Sequence, residues 1–306
     1  MSDLQNPIFH DDTKAREWLE ARLWPDGPVC PHCGAMEATE LKGKAHRPGL
    51  YQCNACREQF TVTVGTLYER SKISLSKWLM ATYLLCASKK GMSTRQLSRM
   101  LGVSVKSTWF MTHRIHEAMR EGKFSSPLGG QNKVVEADET FVGGKARNAK
   151  RCAPIPKKEP VVALVERDGS VRSFHVEAVS RKNLRPVLTE QIDKATYLMT
   201  DEAKVYKSIS SAFSGHGTVN HSIDQYVRHG GFMHTNTVEN YFSILKRGIT
   251  GNYQWVSAKH LKRYLGEFDF RYNTRKVSDM ERAMIAAQGI QGKRLTYRRT
   301  DERAHV

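Results

Sequence analysis

Four cysteines constrain this chain more than any other feature. Cys30-Pro-His-Cys33 and Cys53-Asn-Ala-Cys56 are two C-x2-C pairs with 19 residues between them. Two thiolates three positions apart can reach one ion from a tight knuckle, and two such knuckles complete a tetrahedron around zinc. Gly34 and the short polar residues around each pair suit the turns required. A redox dithiol would need a single pair inside a βαβ pattern, which this region lacks. His32 lies inside the first knuckle, but four thiolates already fill a closed structural site. The spacing therefore predicts one Zn²⁺ held by Cys30, Cys33, Cys53 and Cys56 in a zinc ribbon. Short strands are expected within LYQCNACREQFTVTVGT and a helix in AREWLEARLW. Cys86, on an apolar helical face, and Cys152, in a loop, read as unpaired thiols.

A ribbon accounts for only the first part of 306 residues, a length that fits two or three domains. Hydrophobic residues at 40% are enough for buried cores, so the remainder should be globular. The formal net charge of +17 points to a polyanionic partner, because each phosphate neutralised releases condensed counterions. Nucleic acid is the first choice and an anionic membrane surface the second. No run of about 18 apolar residues exists, which excludes a membrane-spanning helix. The opening MSDLQNPIFHDD lacks a basic stretch followed by an apolar core, so no secretory signal is expected. The expected compartment is the cytoplasm, at the nucleoid in a bacterium.

Downstream of the ribbon the pattern is helical. Leu75, Trp78, Leu79, Thr82, Leu85 and Cys86 follow a 3.6-residue period. Ser93 with Gln96 forms a capping-box pattern ahead of Leu97, Met100 and Leu101; Gly102 ends that helix and Ser104 caps the next. The second helix carries Trp109, Thr112, Ile115 and Met119 as its apolar positions. With Lys106, His113 and Arg114 on that helix, the pair reads as a helix-turn-helix, against a plain helical hairpin. A Ser/Pro/Gly linker, REGKFSSPLGGQNKV, then marks a boundary near residue 128. Beyond it KVVEADETFVGG, PVVALVERDG and SVRSFHVEAV read as strands, two of them a hairpin. The helix RKNLRPVLTEQI, strand ATYLMTDEA, a short strand near TVNHSI and two further helices follow. That order is the order of an RNase H-like α/β domain, an analogy of fold alone.

Three acidic residues sit where such a domain could use them. Asp138 lies toward the end of the first strand and Asp201 ends a later one, so adjacent central strands would hold the two carboxylates side by side. Glu239 follows on a helix that could pack beside the sheet. Three carboxylates can serve two Mg²⁺ or Mn²⁺ ions about 3.5–4 Å apart, the arrangement used for phosphoryl transfer. The bland readings are strand-end solvation for the aspartates and, for Glu239, a capping box with Asn236 as N-cap. Period-2 alternation puts Glu136 on the face of Asp138, and turns Glu139 and Glu202 elsewhere. Val238, Phe242, Leu245 and Ile249 form a buried stripe, with Glu239, Ser243 and Lys246 along the adjacent face. Lys246 is thus placed to hold a DNA phosphate. In a later helix Leu261, Leu265, Phe268 and Tyr272 form one stripe, and Lys259, Lys262 and Arg263 the opposite side. That basic face reads equally as solvated surface or as DNA contact. The tail KRLTYRRTDER suits non-specific phosphate binding.

The stretches EADETFVGGK, MTDEAKVY, HTNTVENYFSILKRGITGNY and HLKRYLGEFDFRYNTR resemble insertion-sequence transposases of the IS fifteen-ninety-five (ISXO-two-like) family. The resemblance covers nearly the whole chain and implies a DDE-type transposase with an RNase H-like (DDE integrase) core. It assigns Asp138 and Asp201 to the two family aspartates. The third position is offered by both Glu239 and Asn236; Glu239 is favoured, with Lys246 as its associated lysine and Asn236 as a partner in the metal shell. The forms VENYFS and YLMTDEAKVY depart from the family pattern. The expected organisation is multidomain α+β: a zinc ribbon (1–66), a helix-turn-helix region (67–127), an α/β catalytic domain (128–276), and a C-terminal helix with basic tail (277–306). The expected partners are the element's terminal inverted repeats and target DNA, bound by a homodimer or larger assembly. A non-catalytic DNA-binding regulator shares the charge and the ribbon; a metal-dependent nuclease shares the carboxylates but does not rejoin ends. A tyrosine recombinase is disfavoured, since the Arg, His and Tyr residues show no such catalytic order.

Overall fold

The computed structural model describes residues 3–120, 126–143, 158–219 and 232–296. Cys152, the end of the TVNHSI segment and most of the basic tail lie outside them. The chain divides into two compact units, Met1–Met119 with Val277–Val306, and Arg120–Lys276. The sequence boundaries place the ribbon and the helical region apart and leave the C-terminal helix on its own. In the structure all three lie within the first unit.

That unit begins with helix α1 (Asp12–Leu23), whose N-terminus is capped by Asp11 accepting from the Thr13 and Lys14 amides. A three-stranded antiparallel sheet follows, β1 (Ala38–Glu40), β2 (Tyr51–Cys53) and β3 (Gln59–Phe60). Trp24, Tyr51 and Phe60 pack edge-on and stacked against it, the only sizeable apolar cluster so small a sheet can muster. Helix α2 (Leu75–Ala87) is buried on nearly every side, including Trp78, Leu79, Ala81, Leu84, Leu85 and Cys86, so it forms the unit's centre. Helices α3 (Thr94–Leu101) and α4 (Val105–Met119) pack together. Ser93 accepts from the Gln96 amide, Gly102 closes α3 in the left-handed conformation, and Ser104 accepts from the Ser107 amide. The last helix, α9 (Asp279–Gln288), returns against α2 and α4. Its Arg282 donates to the Cys86 carbonyl at 3.0 Å, placing a cation on the C-terminal end of α2. Gly289 comes so near α4 that an added Cβ would lie 2.3 Å from the Ala118 carbonyl oxygen.

The second unit is a five-stranded sheet between helices. In chain order it contains β4 (Val134–Val142), β5 (Glu159–Glu166), β6 (Val171–His175), α5 (Arg181–Gln191), β7 (Tyr197–Asp201), α6 (Lys204–Lys207), β8 (Gly215–Val219), α7 (Asn236–Gly248) and α8 (Ala258–Asn273). The sheet order is β6-β5-β4-β7-β8, with β4, β5 and β6 antiparallel and β7 and β8 parallel to β4. Strand β4 is therefore central. On one face Val135, Ala137, Leu164 and Leu198 pack with Leu184 and Leu188 of α5; on the other Val142, Ala163 and Val165 pack with Val238, Phe242 and Leu245 of α7 and with α8.

The exposed edge of β6 is closed by side chains of α8. Asn273 accepts from the Val171 amide at 2.7 Å and donates to its carbonyl at 3.0 Å, as a neighbouring strand would. Asp269 accepts from the Ser173 amide at 2.9 Å and from the Tyr241 hydroxyl of α7. The FDFRYN stretch thus blocks a sheet edge that would otherwise template pairing with another chain. Glu267, fully buried, accepts from Tyr253 in the π-helical turn Ile249–Tyr253 and pairs with Arg271, which fixes the connection between α7 and α8.

Candidate active site

The four cysteines converge as their spacing predicts. Cys30 and Cys56 sulfurs lie 3.7 Å apart, Cys33 and Cys53 sulfurs 3.6 Å, and all four fall within 4.8 Å of one another. With Zn–S bonds of about 2.3 Å, a tetrahedral zinc separates its sulfurs by about 3.8 Å. A disulfide needs about 2.05 Å. The geometry fits a metal and excludes two bridges. Each knuckle ends in a left-handed residue, Gly34 (φ 78°) and Arg57 (φ 64°), whose amides donate to the Cys30 and Cys53 carbonyls. Backbone N–H groups of Cys56, then Ala55, aimed at the Cys53 sulfur bring its pKa down to about 7 and favour the thiolate that binds metal.

The acidic constellation is built by strand register. Paired residues run Val134↔Tyr197, Val135↔Leu198 and Glu136↔Met199 between the parallel strands β4 and β7. Carried two residues onward, the same register sets Asp138 level with Asp201. Asp138 shares the face of Val142, which packs against α7 and α8; Glu239, in the first turns of α7, is exposed there. The charges feel one another. Asp138 is pushed up to about 7, chiefly by burial, with repulsion from Glu139, Asp201 and Glu239 added and the Glu139 amide opposing. Among the described residues only the four cysteines bring three or more such ligand atoms within 4.8 Å, so the carboxylates form a more open array.

Neighbouring residues take other parts. Glu139 faces away, as alternation predicts, and accepts from the buried Tyr206 hydroxyl of α6 at 2.5 Å; burial, above all, raises its pKa. The expected capping box is replaced. Thr235, not Asn236, is the N-cap of α7, and it makes no side-chain cap bond. Its hydroxyl donates to Glu239 at 3.0 Å, while the first-turn amides of Thr237 and Val238 donate to Glu136 on β4. An acceptor from across the sheet has taken the position that sequence reasoning gave to a local one. Asn236, Glu239 and Lys246 all lie on the exposed side of α7. Arg167, Tyr206 and His234 went unnoticed in the sequence; nothing in their spacing marks them.

The candidate DNA contacts divide. Lys106 is exposed in the first turn of α4, and Lys259 and Lys262 are exposed on α8; Arg263 is half-buried and contacts His260. His113, by contrast, is 1% exposed and lies against Trp109, so it offers no surface to a phosphate. Arg114 is half-buried, its guanidinium bound to the carbonyls of Glu69 and Leu295, and burial lowers its pKa. The exposed residues around the α3–α4 turn instead include Arg95, Arg99, Met100, Val105 and Lys106.

A four-cysteine ribbon in one unit and aligned strand aspartates in another are matched by two transposase models. Residues 10–59 match the transposase zinc-ribbon domain, and residues 127–273 match the ISXO2-like transposase domain. The chain belongs to the ISXO2-like transposase family. It is 26% identical over 280 residues to an uncharacterized protein in transposable element ISH50 of Halobacterium salinarum, covering 86% of this chain and 91% of that one. Among solved structures, a chain of the simian T-cell lymphotropic virus intasome in complex with PP2A regulatory subunit B56 gamma is similar at 13% identity and a TM-score of 0.28. That similarity covers 56% of this chain and 63% of the other, less than two thirds of its length. No helix among the described residues is long and apolar enough to cross a membrane.

Proposed function

We propose that this protein is a DDE-type transposase that binds the ends of its insertion sequence and carries out strand cleavage and strand transfer in one site. The observation that carries this reading is the parallel β4–β7 register, which continued two residues past Glu136↔Met199 brings Asp138 level with Asp201, with Glu239 among the charges that raise the Asp138 pKa. Three antiparallel strands followed by two parallel ones, with helices on both faces, support an RNase H-like fold for the second unit.

Three carboxylates, one of them with its pKa raised by burial and by repulsion from the other two, are an oxygen-donor set that suits Mg²⁺ or Mn²⁺. Bound there, such ions would supply charge neutralisation and Lewis-acid polarisation at a phosphate. Asp138 and Asp201 hold their oxygens on rigid strands, and α7 brings Glu239. Asn236, three residues before Glu239, completes the rim. Lys246, two turns along the exposed side of α7, meets a DNA phosphate. Hydrolysis at an element end breaks one P–O bond and leaves a 3′-OH. That hydroxyl attacks a target phosphodiester, so one P–O bond forms as another breaks.

The ribbon, loaded with zinc, and a helix-turn-helix formed by α3 and α4 recognise the terminal inverted repeats. The first turn of α4, with Val105 and Lys106 exposed, is the part that enters the groove. Two ends are brought together by at least two protomers, acting on DNA in the cytoplasm. The test is strand transfer on element-end DNA with Mg²⁺. Asp138→Asn, Asp201→Asn and Glu239→Gln should each lower it by orders of magnitude while end binding persists. If Glu239→Gln keeps normal transfer and Asn236→Ala abolishes it, the third position is Asn236.

A further inference from the structure

The motif Glu136-Ala-Asp138-Glu139 contains a carboxylate that the proposed chemistry leaves unused. Glu136 is 0% exposed, although it lies on the same face of β4 as Asp138 and only two residues before it. Both of its oxygens are occupied. Oε1 accepts from Arg167 Nε at 2.7 Å and from the Thr237 hydroxyl at 2.9 Å; Oε2 accepts from the amides of Thr237 at 2.9 Å and Val238 at 3.0 Å. The four acceptor positions of a carboxylate are then filled, so Glu136 has none to offer a metal. The His234 ring adds Nδ1 at 3.2 Å from Oε1, close enough for an ion pair though not aligned as a hydrogen bond.

Arg167 extends the same arrangement. Its two terminal nitrogens donate to the carbonyls of Phe232 at 2.7 Å and His234 at 2.8 Å, which are in the segment that leads into α7. One guanidinium therefore neutralises the buried carboxylate and also clamps the entry to the helix. The positive end of the α7 dipole points at Glu136 as well. The consequence is geometric: Glu136 precedes Asp138 by two residues, and Val238 immediately precedes Glu239. The tie between strand and helix lies directly behind the pair of side chains that must converge.

We infer that Glu136 is a positioning residue that docks the N-terminus of α7 onto β4 and thereby sets the separation of Glu239 from Asp138; this rests on the transposase reading above. It does not touch DNA or metal. Its replacement by glutamine keeps the size but turns an N–H₂ group toward either Arg167 or the helix amides, so donors face donors. Supporting residues of this kind change metal affinity or activity by about 10–100-fold when altered.

The test uses full-length, zinc-loaded protein and follows Mn²⁺ binding by calorimetry alongside strand transfer. Melting curves establish that each variant is folded at the assay temperature. Asp138→Asn defines the binding that belongs to the acidic site. Glu136→Gln should weaken that Mn²⁺ binding by about tenfold or more and lower transfer in parallel, with end-DNA binding unchanged. Thr237→Val removes one of the four bonds and leaves the carboxylate in place; a loss of a few-fold is expected in a fully folded protein, even if Glu136→Gln does not fold. Wild-type Mn²⁺ affinity and transfer in folded Glu136→Gln, or in Thr237→Val should that be the only folded variant, would overturn the assignment. Mn²⁺ binding that Asp138→Asn leaves intact would instead overturn the transposase reading beneath it.

Discussion

Replacing Asp138 with asparagine should stabilise the α/β unit while it abolishes strand transfer. The two side chains have the same shape, and asparagine can still accept from the Glu139 amide, which donates to Asp138 at 2.8 Å. What changes is the charge. Burial, with repulsion from Glu139, Asp201 and Glu239, raises the Asp138 pKa from 3.8 to about 7 in the folded protein. A raised folded pKa means that folding favours the protonated form: the stability associated with it is complete below the unfolded pKa and declines as pH rises through the folded one. Three units at 1.36 kcal/mol each set the ionisation penalty at about 4 kcal/mol near pH 8 and about 2 kcal/mol near pH 5. Asparagine has no such penalty. Urea titrations without added divalent ions, read by hydrogen exchange of β4 peptides, should therefore show the variant ahead by about 4 kcal/mol at the higher pH and by about half that at the lower. A gain that is equal at both pH values, or absent near pH 8, refutes the claim that burial and crowding hold this carboxyl up. The same substitution that silences the site would then measure what the site costs the fold.

Three further outcomes follow from particular contacts. Single Cys→Ser changes at Cys30, Cys33, Cys53 or Cys56 should lower zinc content from one per chain and loosen the ribbon before the rest of the first unit; unchanged metal analysis would contradict the tetrahedral site. Lys106→Ala should weaken DNA binding and reduce the slope of log affinity against log salt by about one, whereas His113→Ala, at a buried position, should lower the melting temperature and leave that slope alone. Gel-shift titrations over a salt series separate the two. Asn273→Ala leaves the amide and carbonyl of buried Val171 without their partner, a loss of about 2 kcal/mol, and opens the β6 edge. Increased self-association by light scattering is expected with it.

Features set by local spacing were legible in the sequence, and features set by contacts across the fold were not. Two knuckles need only their own few residues, so the cysteines could be assigned from spacing alone. The strands of the second unit announced themselves by β-branched runs; Asp201 ends β7 as expected, whereas Asp138, expected toward a strand end, falls at the middle of β4, which runs on to Val142. Their alignment, however, is a property of the β4–β7 register, which no local pattern encodes. The helical period correctly grouped Val238, Phe242, Leu245 and Ile249 as the buried side of α7. It could not say what covers a face. On α4 the side bearing His113 and Arg114 is buried, and Leu295, 181 positions away from Arg114, supplies one of the carbonyls that hold the guanidinium. Glu136 shows the same limit most sharply. Read locally, Asn236 and Glu239 satisfy the start of α7, and Glu136 is one more acid in an acidic motif. In the fold, a carboxylate 101 positions before Thr237 takes its amide and hydroxyl, and Glu239 accepts instead from the Thr235 hydroxyl. With the first-turn amides satisfied from β4, Asn236 and Glu239 lie exposed on the outer side of α7, the side from which a metal or DNA would be met.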